Sequence, residues 1–266
     1  MEGFGDLDGV ARAKGEVFSG MPPSAVAVIN KDDPRCGVWE QLAKGGPTLG
    51  FAMEKDADIR ARYRPEHGGS RVQLITPRGE VDLHLAAPGK HNVMNALAAT
   101  GLALAVDVPL AMIAQGLEAF RPMRGRLLPR TGWRGALILD DTYNANPCSL
   151  EAGLDVLVTM PGRHWLVLGD MGELGKNAPG WHEECGRLAC GKSIERLITL
   201  GPLSAGAGDC FGAGAEHFDD VDALVRRVRE GLDADVRVLV KGSRAMRMER
   251  VVAGLLGDTD GGKGAD

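Results

Sequence analysis

Charged and hydroxyl side chains follow the apolar segments in the C-terminal half of this sequence, at the points where strands are predicted to end. In an open parallel sheet, ligands bind beyond the carboxyl ends of the strands. Strand ends are also loops, and loops are polar for that reason alone. Four such ends on one rim nevertheless favour a binding site. The candidate residues are Asp140, Asp141, Asp170, Glu173, Lys241, Ser243 and Arg244.

The densest of these segments is Asp140-Asp141-Thr142-Tyr143-Asn144-Ala145-Asn146-Pro147. A carboxylate at a strand end can accept hydrogen bonds from a ribose or hold a metal ion. Asn144 and Asn146 are suited to binding a ligand through their amides and equally suited to forming a turn. Ser149 could cap the helix that follows. From the residues alone, both interpretations stay open.

Two asparagines precede a predicted helix in the N-terminal half. Asn92 and Asn95 are three residues apart, so both can face the same side near the helix start. Asparagine can bond the edge of adenine through two hydrogen bonds, whereas simple capping by Asn92 is the alternative. Lys14, taken alone, is typical of a solvated helix residue. Lys241 with Ser243 and Arg244 suits an anionic substrate, or a charged helix start.

These residues require elements to position them. Residues 26–30 predict a buried strand, and the alternating patterns of 71–75 and 80–85 predict antiparallel strands. Two helices follow, and the basic segment 121–126, with its proline and glycine, marks a domain boundary. Beyond it, apolar strands alternate with helices, which predicts a parallel α/β sheet covered on both faces. The predicted strands are 136–139, 165–168, 196–200 and 236–240, and the predicted helices are 92–106, 109–120, 149–160, 181–190, 221–231 and 246–256.

Bulk composition excludes several classes of function. The 266 residues carry a net charge of −5, which gives no support for binding nucleic acid or anionic membranes. No apolar run reaches the roughly 18 residues of a membrane helix, so no membrane insertion is expected. The five cysteines include no C-x-x-C pair, which favours free thiols in a reducing cytoplasm. Phosphate-loop, dinucleotide-binding and hydrolase-triad patterns are absent from this sequence.

Four motifs in order give a resemblance that runs from about Glu2 to Leu256. The sequence resembles the Mur ligases, and the motifs that carry the resemblance are Gly89-Lys90-His91-Asn92-Val93-Met94-Asn95, the segment 140–147, Leu168-Gly169-Asp170-Met171-Gly172-Glu173 with His182, and Val240-Lys241-Gly242-Ser243-Arg244. The resemblance implies the remnant of a central ATP-binding domain at 1–123, a Rossmann-like C-terminal domain with a mainly parallel sheet at 124–257, and a flexible tail at 258–266.

The resemblance also implies an activity. A monomeric cytoplasmic enzyme would use ATP and Mg²⁺ to join D-alanyl-D-alanine to UDP-N-acetylmuramoyl-tripeptide through an acyl phosphate, in peptidoglycan synthesis. Asn95, supported by Asn92, would bind adenine, Arg126 the phosphates and Asp141 the ribose. Lys14, as a carbamate, would be a metal ligand. The implied catalytic residues are Lys14, Asp141, Asn146 and His182, and the substrate-binding residues are Asp170, Glu173, Lys241, Ser243 and Arg244.

The sequence departs from the family in one respect. Mur ligases carry an N-terminal domain, a phosphate loop and a metal-binding Glu and His, none of which occurs here. We therefore expect the isolated chain to be inactive, and residues 1–120 to fold less well alone than 126–256. The alternatives are a related ligase, such as another muramoyl ligase or a folylpolyglutamate synthase, and a non-catalytic binding remnant. Tyr143 to Asn146 argue against the related ligases.

Overall fold

The computed structural model describes residues 6–66 and 68–256, so the tail predicted at 258–266 lies outside the described residues. The chain divides into two compact units, Met1–Arg121 and Pro122–Asp266. Each unit has apolar clusters made only of its own residues.

The first unit has a five-stranded mixed sheet in the order β1-β2-β3-β4-β5. β1 to β3 run parallel, and β3, β4 and β5 form an antiparallel meander, as the alternating patterns predict. The strands are β1 (Ala27–Asn30), β2 (Thr48–Ala52), β3 (Ile59–Glu66), β4 (Gly69–Thr76) and β5 (Gly79–Leu85). The helices are α1 (Leu7–Ser19), α2 (Cys36–Leu42), α3 (Lys90–Ala105) and α4 (Leu110–Ala119).

Helix α3 lies against the sheet of the first unit through its apolar positions. Val93, Leu97 and Leu104 are buried there with residues of the strands. A side chain at Gly101 would bring a Cβ within 2.6 Å of Val28 on β1, so glycine allows the close approach of helix and strand. This packing fixes where the start of α3, with Asn92, lies relative to the sheet.

The second unit has a six-stranded sheet in the order β10-β9-β8-β11-β7-β6. All neighbours are parallel except β6, which is antiparallel to β7, so the predicted mainly parallel α/β sheet is confirmed. The strands are β6 (Leu128–Thr131), β7 (Leu137–Asp141), β8 (Arg163–Gly169), β9 (Arg196–Leu200), β10 (Ala215–Phe218) and β11 (Val236–Lys241). The helices are α5 (Pro147–Val158), α6 (Ala178–Gly191), α7 (Ala205–Phe211), α8 (Val221–Glu230) and α9 (Glu249–Leu255).

Alternation along β8 shows how both faces of this sheet are filled. Leu166 and Leu168 join the apolar cluster formed with α5, α6 and α7, whereas Trp165 and Val167 join the cluster formed with α8 and α9. The sequence of a parallel strand that is covered on both faces is a continuous apolar run, because side chains on both faces are buried. The polar residues therefore follow the strands and lie at their carboxyl ends.

All five cysteines are free, as predicted. Cys185 is buried on α6, and this burial raises the pKa of its thiol to about 12. Such a thiol stays protonated at neutral pH and behaves as a small apolar core residue. Among the helices that the structure describes, none has both the length and the apolar character needed to cross a bilayer.

Candidate active site

Asp141 and Lys241 meet at the carboxyl ends of β7 and β11, where they are register partners across the two parallel strands. The Lys241 ammonium donates to Asp141 Oδ2 at 2.6 Å and to the carbonyl oxygen of Asn144 at 3.0 Å. Its side chain is only 2% exposed. The Lys241 ammonium thus holds Asp141 and the loop that follows, and its binding of an anionic substrate stays a prediction.

The loop after β7 is fixed along its length. The Thr142 hydroxyl donates to Asp140 Oδ1 at 2.7 Å, and both side chains are buried. The Tyr143 amide donates to the carbonyl oxygen of Gly125 at 3.0 Å, and Asn144 Oδ1 accepts from its neighbour's amide. The side chains of Tyr143 and Asn144 remain exposed. The loop is thus a rigid support that presents two polar side chains.

Asn146 ends this loop by capping α5. Its Oδ1 accepts from the Ser149 amide at 2.8 Å, while the Ser149 hydroxyl accepts from the Asn146 amide at 3.0 Å. This reciprocal pair is a capping box, and Pro147 occupies the first turn. The interpretation of this segment as a helix cap is confirmed, but the prediction that Ser149 is the cap is wrong, because Asn146 is the cap and Ser149 is the third helical residue. A catalytic Asn146 remains a prediction.

Arg126 lies over the ring of Tyr143, with its guanidinium carbon 4.4 Å from the ring centroid. Gly125 makes this contact possible: its φ is +78°, and a Cβ there would lie 2.9 Å from the Tyr143 amide nitrogen. The sequence predicted Arg126 but not its partner, because no spacing rule connects positions 126 and 143. The stack holds an exposed cation beside the Asp141 loop.

Asp170 and His182 hold the loop after β8. Asp170 Oδ1 accepts from the amides of Leu203 and Ser204, at 3.1 and 2.7 Å. His182 is 0% exposed, with Nε2 bonded to the Met171 amide at 2.9 Å and Nδ1 to the Ala178 carbonyl oxygen at 2.7 Å. Both ring nitrogens of His182 thus have backbone partners, and its catalytic role stays a prediction.

The other predicted residues of this rim differ in exposure. Ser243 is 7% exposed, and its amide donates to the carbonyl oxygen of Asp170 at 2.9 Å, which joins the ends of β11 and β8. Arg244 is exposed and pairs with Glu249 at 3.3 Å. Glu173 is exposed and has a left-handed backbone, with φ of +60°. The structure thus brings the strand-end residues to one edge of this sheet, as predicted.

Asn92 and Asn95 both lie in the first two turns of α3. The helix begins at Lys90 with Gly89 as its cap, so the alternative that Asn92 caps it is wrong. Asn92 Nδ2 instead donates to the Pro88 carbonyl oxygen at 2.7 Å. Asn95 is exposed, as an adenine-binding residue must be. Lys90 pairs with Glu54, and this hydrogen bond raises the pKa of its ammonium.

Lys14 lies on α1 with an exposed side chain. Within residues 6–66 and 68–256, no group of three or more His, Cys, Asp and Glu side chains is arranged to hold a metal ion. Carboxylate oxygens are the ligands that Mg²⁺ prefers. The metal role of Lys14 stays a prediction.

Comparison with known proteins gives matches for both units. Residues 1–103 match the Mur ligase middle domain, and residues 125–244 match a domain described as the Mur ligase, glutamate ligase domain. The UDP-N-acetylmuramoyl-tripeptide–D-alanyl-D-alanine ligase of Escherichia coli K12 is 39% identical over 260 residues, which cover 96% of this chain and 57% of the relative. The Haemophilus influenzae ligase of the same name is 37% identical over 261 residues, covering 96% of this chain and 56% of the relative.

Solved structures agree with these sequence matches. A MurF crystal structure from Acinetobacter baumannii superposes with a TM-score of 0.86 at 30% identity, covering 94% of this chain and 55% of that one. A Thermotoga maritima MurF structure in complex with ADP shares the fold, with a TM-score of 0.83 at 23% identity, covering 95% of this chain and 58% of that one. The chain spans a little more than half the length of the relatives that it matches.

Proposed function

Because the chain belongs to the Mur ligase family, we propose that it acts as the ATP-binding and acceptor-binding part of a ligase that joins D-alanyl-D-alanine to UDP-N-acetylmuramoyl-tripeptide. The observation that carries this proposal is the hydrogen-bonded loop 140–147, which begins with Asp140 and Asp141 and whose Tyr143 ring lies against an exposed Arg126. The names of the Escherichia coli and Haemophilus influenzae relatives supply the two substrates.

Four residues have proposed roles in binding ATP. Asn95 binds the adenine edge, and Asn92 supports it from the same turn of α3. The Asp141 carboxylate accepts a hydrogen bond from the ribose and, at Oδ2, one from the Lys241 ammonium. Arg126, held by Tyr143, pairs with a phosphate, for which a planar guanidinium is well suited.

The proposed chemistry has two steps. The terminal phosphoryl group of ATP passes to the carboxylate of the tripeptide, giving an acyl phosphate and ADP. The neutral amine of D-alanyl-D-alanine then attacks the acyl carbon, loses a proton and expels inorganic phosphate, which leaves an amide. In this proposal, Glu173 on the loop after β8 contacts the ammonium of the dipeptide, and Arg244 after β11 contacts its carboxylate.

The family implies Mg²⁺, which neutralises charge on the transferred phosphoryl group when bound. The described residues offer no cluster that fits it, so none of the roles above depends on a metal. We place the reaction in the cytoplasm, where the five free cysteines stay reduced, and we propose a monomer.

Phosphate release tests the proposal. The 266-residue chain is assayed alone, and also joined to the remainder of the Escherichia coli relative, with ATP, the UDP-tripeptide and D-alanyl-D-alanine. We expect phosphate and the pentapeptide product from the joined protein only when all three substrates are present. Asp141→Asn in the joined protein is expected to reduce turnover. Preference for a single amino acid over the dipeptide would contradict the assignment and support a related ligase.

A further inference from the structure

We propose that His182 is a positioning residue that sets the path of the Met171–Leu174 loop, on the side of the second unit that would receive the amine acceptor. The idea deepens the proposed function and rests on it only for the identity of the ligand. The juxtaposition that carries it is a fully buried imidazole whose two nitrogens bind two backbone groups of opposite polarity.

The partners of His182 determine its tautomer. The Ala178 carbonyl oxygen can only accept, so Nδ1, at 2.7 Å from it, carries the proton. The Met171 amide can only donate, so Nε2, at 2.9 Å, accepts through its lone pair. An imidazolium has no acceptor, and the charged form would leave the Met171 amide without its bond. The neutral ring therefore acts as a fixed acceptor for one loop amide.

The start of this loop is held independently of His182. The Asp170 carboxylate binds the amides of Leu203 and Ser204 after β9, and the Asp170 carbonyl oxygen binds the Ser243 amide after β11. A side chain at Gly201 would bring a Cβ within 2.8 Å of that carboxylate, so glycine leaves room for it. Asp170 thus fixes where the loop begins, and His182 fixes the next residue.

The direction taken after Met171 matters because Glu173 has φ of +60°. A residue other than glycine rarely adopts this conformation, and it persists where the surrounding structure imposes it. Met171 is 1% exposed and anchors the loop in the core, whereas Glu173 two residues later is exposed. The His182–Met171 bond therefore fixes the backbone two residues before the exposed Glu173.

Two substitutions separate the two bonds of His182. His182→Gln keeps an acceptor near the position of Nε2 and loses the Nδ1 donor, whereas His182→Asn keeps a donor near Nδ1 and loses the acceptor. In the 266-residue chain we expect amide exchange at Met171 to accelerate about ten- to hundredfold in His182→Asn, because a buried donor loses its partner. In His182→Gln we expect a change within about threefold.

Nitrogen NMR of the chain gives a second measurement. Wild-type His182 is expected to show a protonated Nδ1 and an unprotonated Nε2. Denaturant unfolding of both variants separates loop positioning from global stability. Equal acceleration at Met171 in both variants, in proportion to lost stability, would overturn the proposal. A protonated Nε2 in the wild type would do the same.

Kinetic measurements on the joined ligase test whether the loop contributes to binding of the amine acceptor. We expect His182→Asn to raise KM for D-alanyl-D-alanine about tenfold while KM for ATP changes by less than about threefold, with His182→Gln close to wild type. Equal changes in both KM values would contradict an acceptor-side role. If the unsubstituted joined protein is inactive, the proposed function fails, and amide exchange in the chain still decides whether His182 positions the loop.

Discussion

Lys241 and Asp141 form a largely buried ion pair. Their side chains are 2% and 13% exposed, and the Lys241 ammonium lies 2.6 Å from Asp141 Oδ2. Desolvation of two charges is expensive, and their attraction offsets it only while both are present. Lys241 also holds the Asn144 carbonyl oxygen. Its role at the residue scale is therefore to hold the Asp141 carboxylate and the loop that follows in one orientation.

Removal of one member of this pair is expected to be costly. We predict that Lys241→Met lowers the unfolding free energy of the second unit by about 3 kcal/mol, because a carboxylate is left unpaired among the strand ends. The double variant Asp141→Asn/Lys241→Met is expected to lose less than the sum of the single variants. Urea unfolding of all three proteins measures this, and strict additivity would count against the pair.

Arg126 offers a second test at the residue scale. In the joined ligase, Arg126→Ala is expected to raise KM for ATP about tenfold or more, because a charge-assisted hydrogen bond to phosphate is lost. Tyr143→Ala should give a smaller increase in the same direction, since the guanidinium loses its support. Arg124→Ala removes an exposed arginine two residues away and serves as the matched control. An equal effect of both arginines would indicate only a general charge effect.

The residue types predict a binding site at the edge of the second unit's sheet. They do not predict which of the side chains there can contact a ligand. The sequence correctly predicts that Asp141, Asp170 and Lys241 lie at strand ends. It does not reveal that His182 and Lys241 are buried, because their partners are backbone groups and a carboxylate distant in sequence. The Arg126–Tyr143 stack has no sequence signature for the same reason.

At the scale of elements, the start of α5 is set by the capping box of Asn146 and Ser149. We predict that Asn146→Ala destabilises the second unit by about 1 kcal/mol, and that Asn146→Ser, which can still cap, costs less. Thermal unfolding measures both. Activity of the joined ligase separates the cap from catalysis: a stable Asn146→Ser protein with strongly reduced turnover would favour the catalytic role, and retained turnover would leave only the cap.

The loop after β2 depends on one carboxylate of the first unit. Burial raises the pKa of Asp32, but the backbone amides of Met53, Glu54 and Lys55 bind its charged form and lower the pKa below its usual value overall. A lowered folded pKa means that the stabilisation is complete above the unfolded pKa of 3.8 and is lost as pH falls through the folded value.

Acid titration checks this consequence. We predict that Asp32→Ala lowers the unfolding free energy of the first unit by about 2 kcal/mol at pH 7, and that the difference from the wild type shrinks as pH falls below 3.8. Asp56→Ala is the control, because the Asp56 side chain is 95% exposed. A difference that does not depend on pH would show that packing, not the carboxylate, causes the loss.

Sequence patterns located the buried elements and missed the peripheral ones. The strands β7, β8, β9 and β11 are apolar runs, and they were predicted because both of their faces are buried. None of the peripheral elements β6, β10 and α7 has a periodic apolar pattern. Strand β10 is short and includes Glu216 and His217, β6 contains Pro129, and the first four residues of α7 are alanine and glycine. A Cβ at Gly186 of α6 would lie 2.1 Å from the Ala207 carbonyl oxygen, so glycine there allows the close approach of α6 and α7.

For the whole molecule, the separate apolar clusters of the two units indicate that each can be cooperative by itself. We predict that a fragment of residues 122–256 folds alone with one unfolding transition, because both faces of its sheet are covered by its own helices. Circular dichroism during urea unfolding, compared with the full chain, measures this. A fragment without a cooperative transition would show that its stability requires residues before 122.

Strand β6 has a consequence for how the molecule behaves in a concentrated solution. It is the antiparallel neighbour of β7 and forms one margin of the six-stranded sheet, with Pro129 opposite Leu139. Proline has no amide hydrogen to offer to an incoming strand, and a short outer strand gives a poor template for self-association. The four residues of β6 therefore shield β7, and with it Asp141, from being drawn into aggregates through backbone pairing.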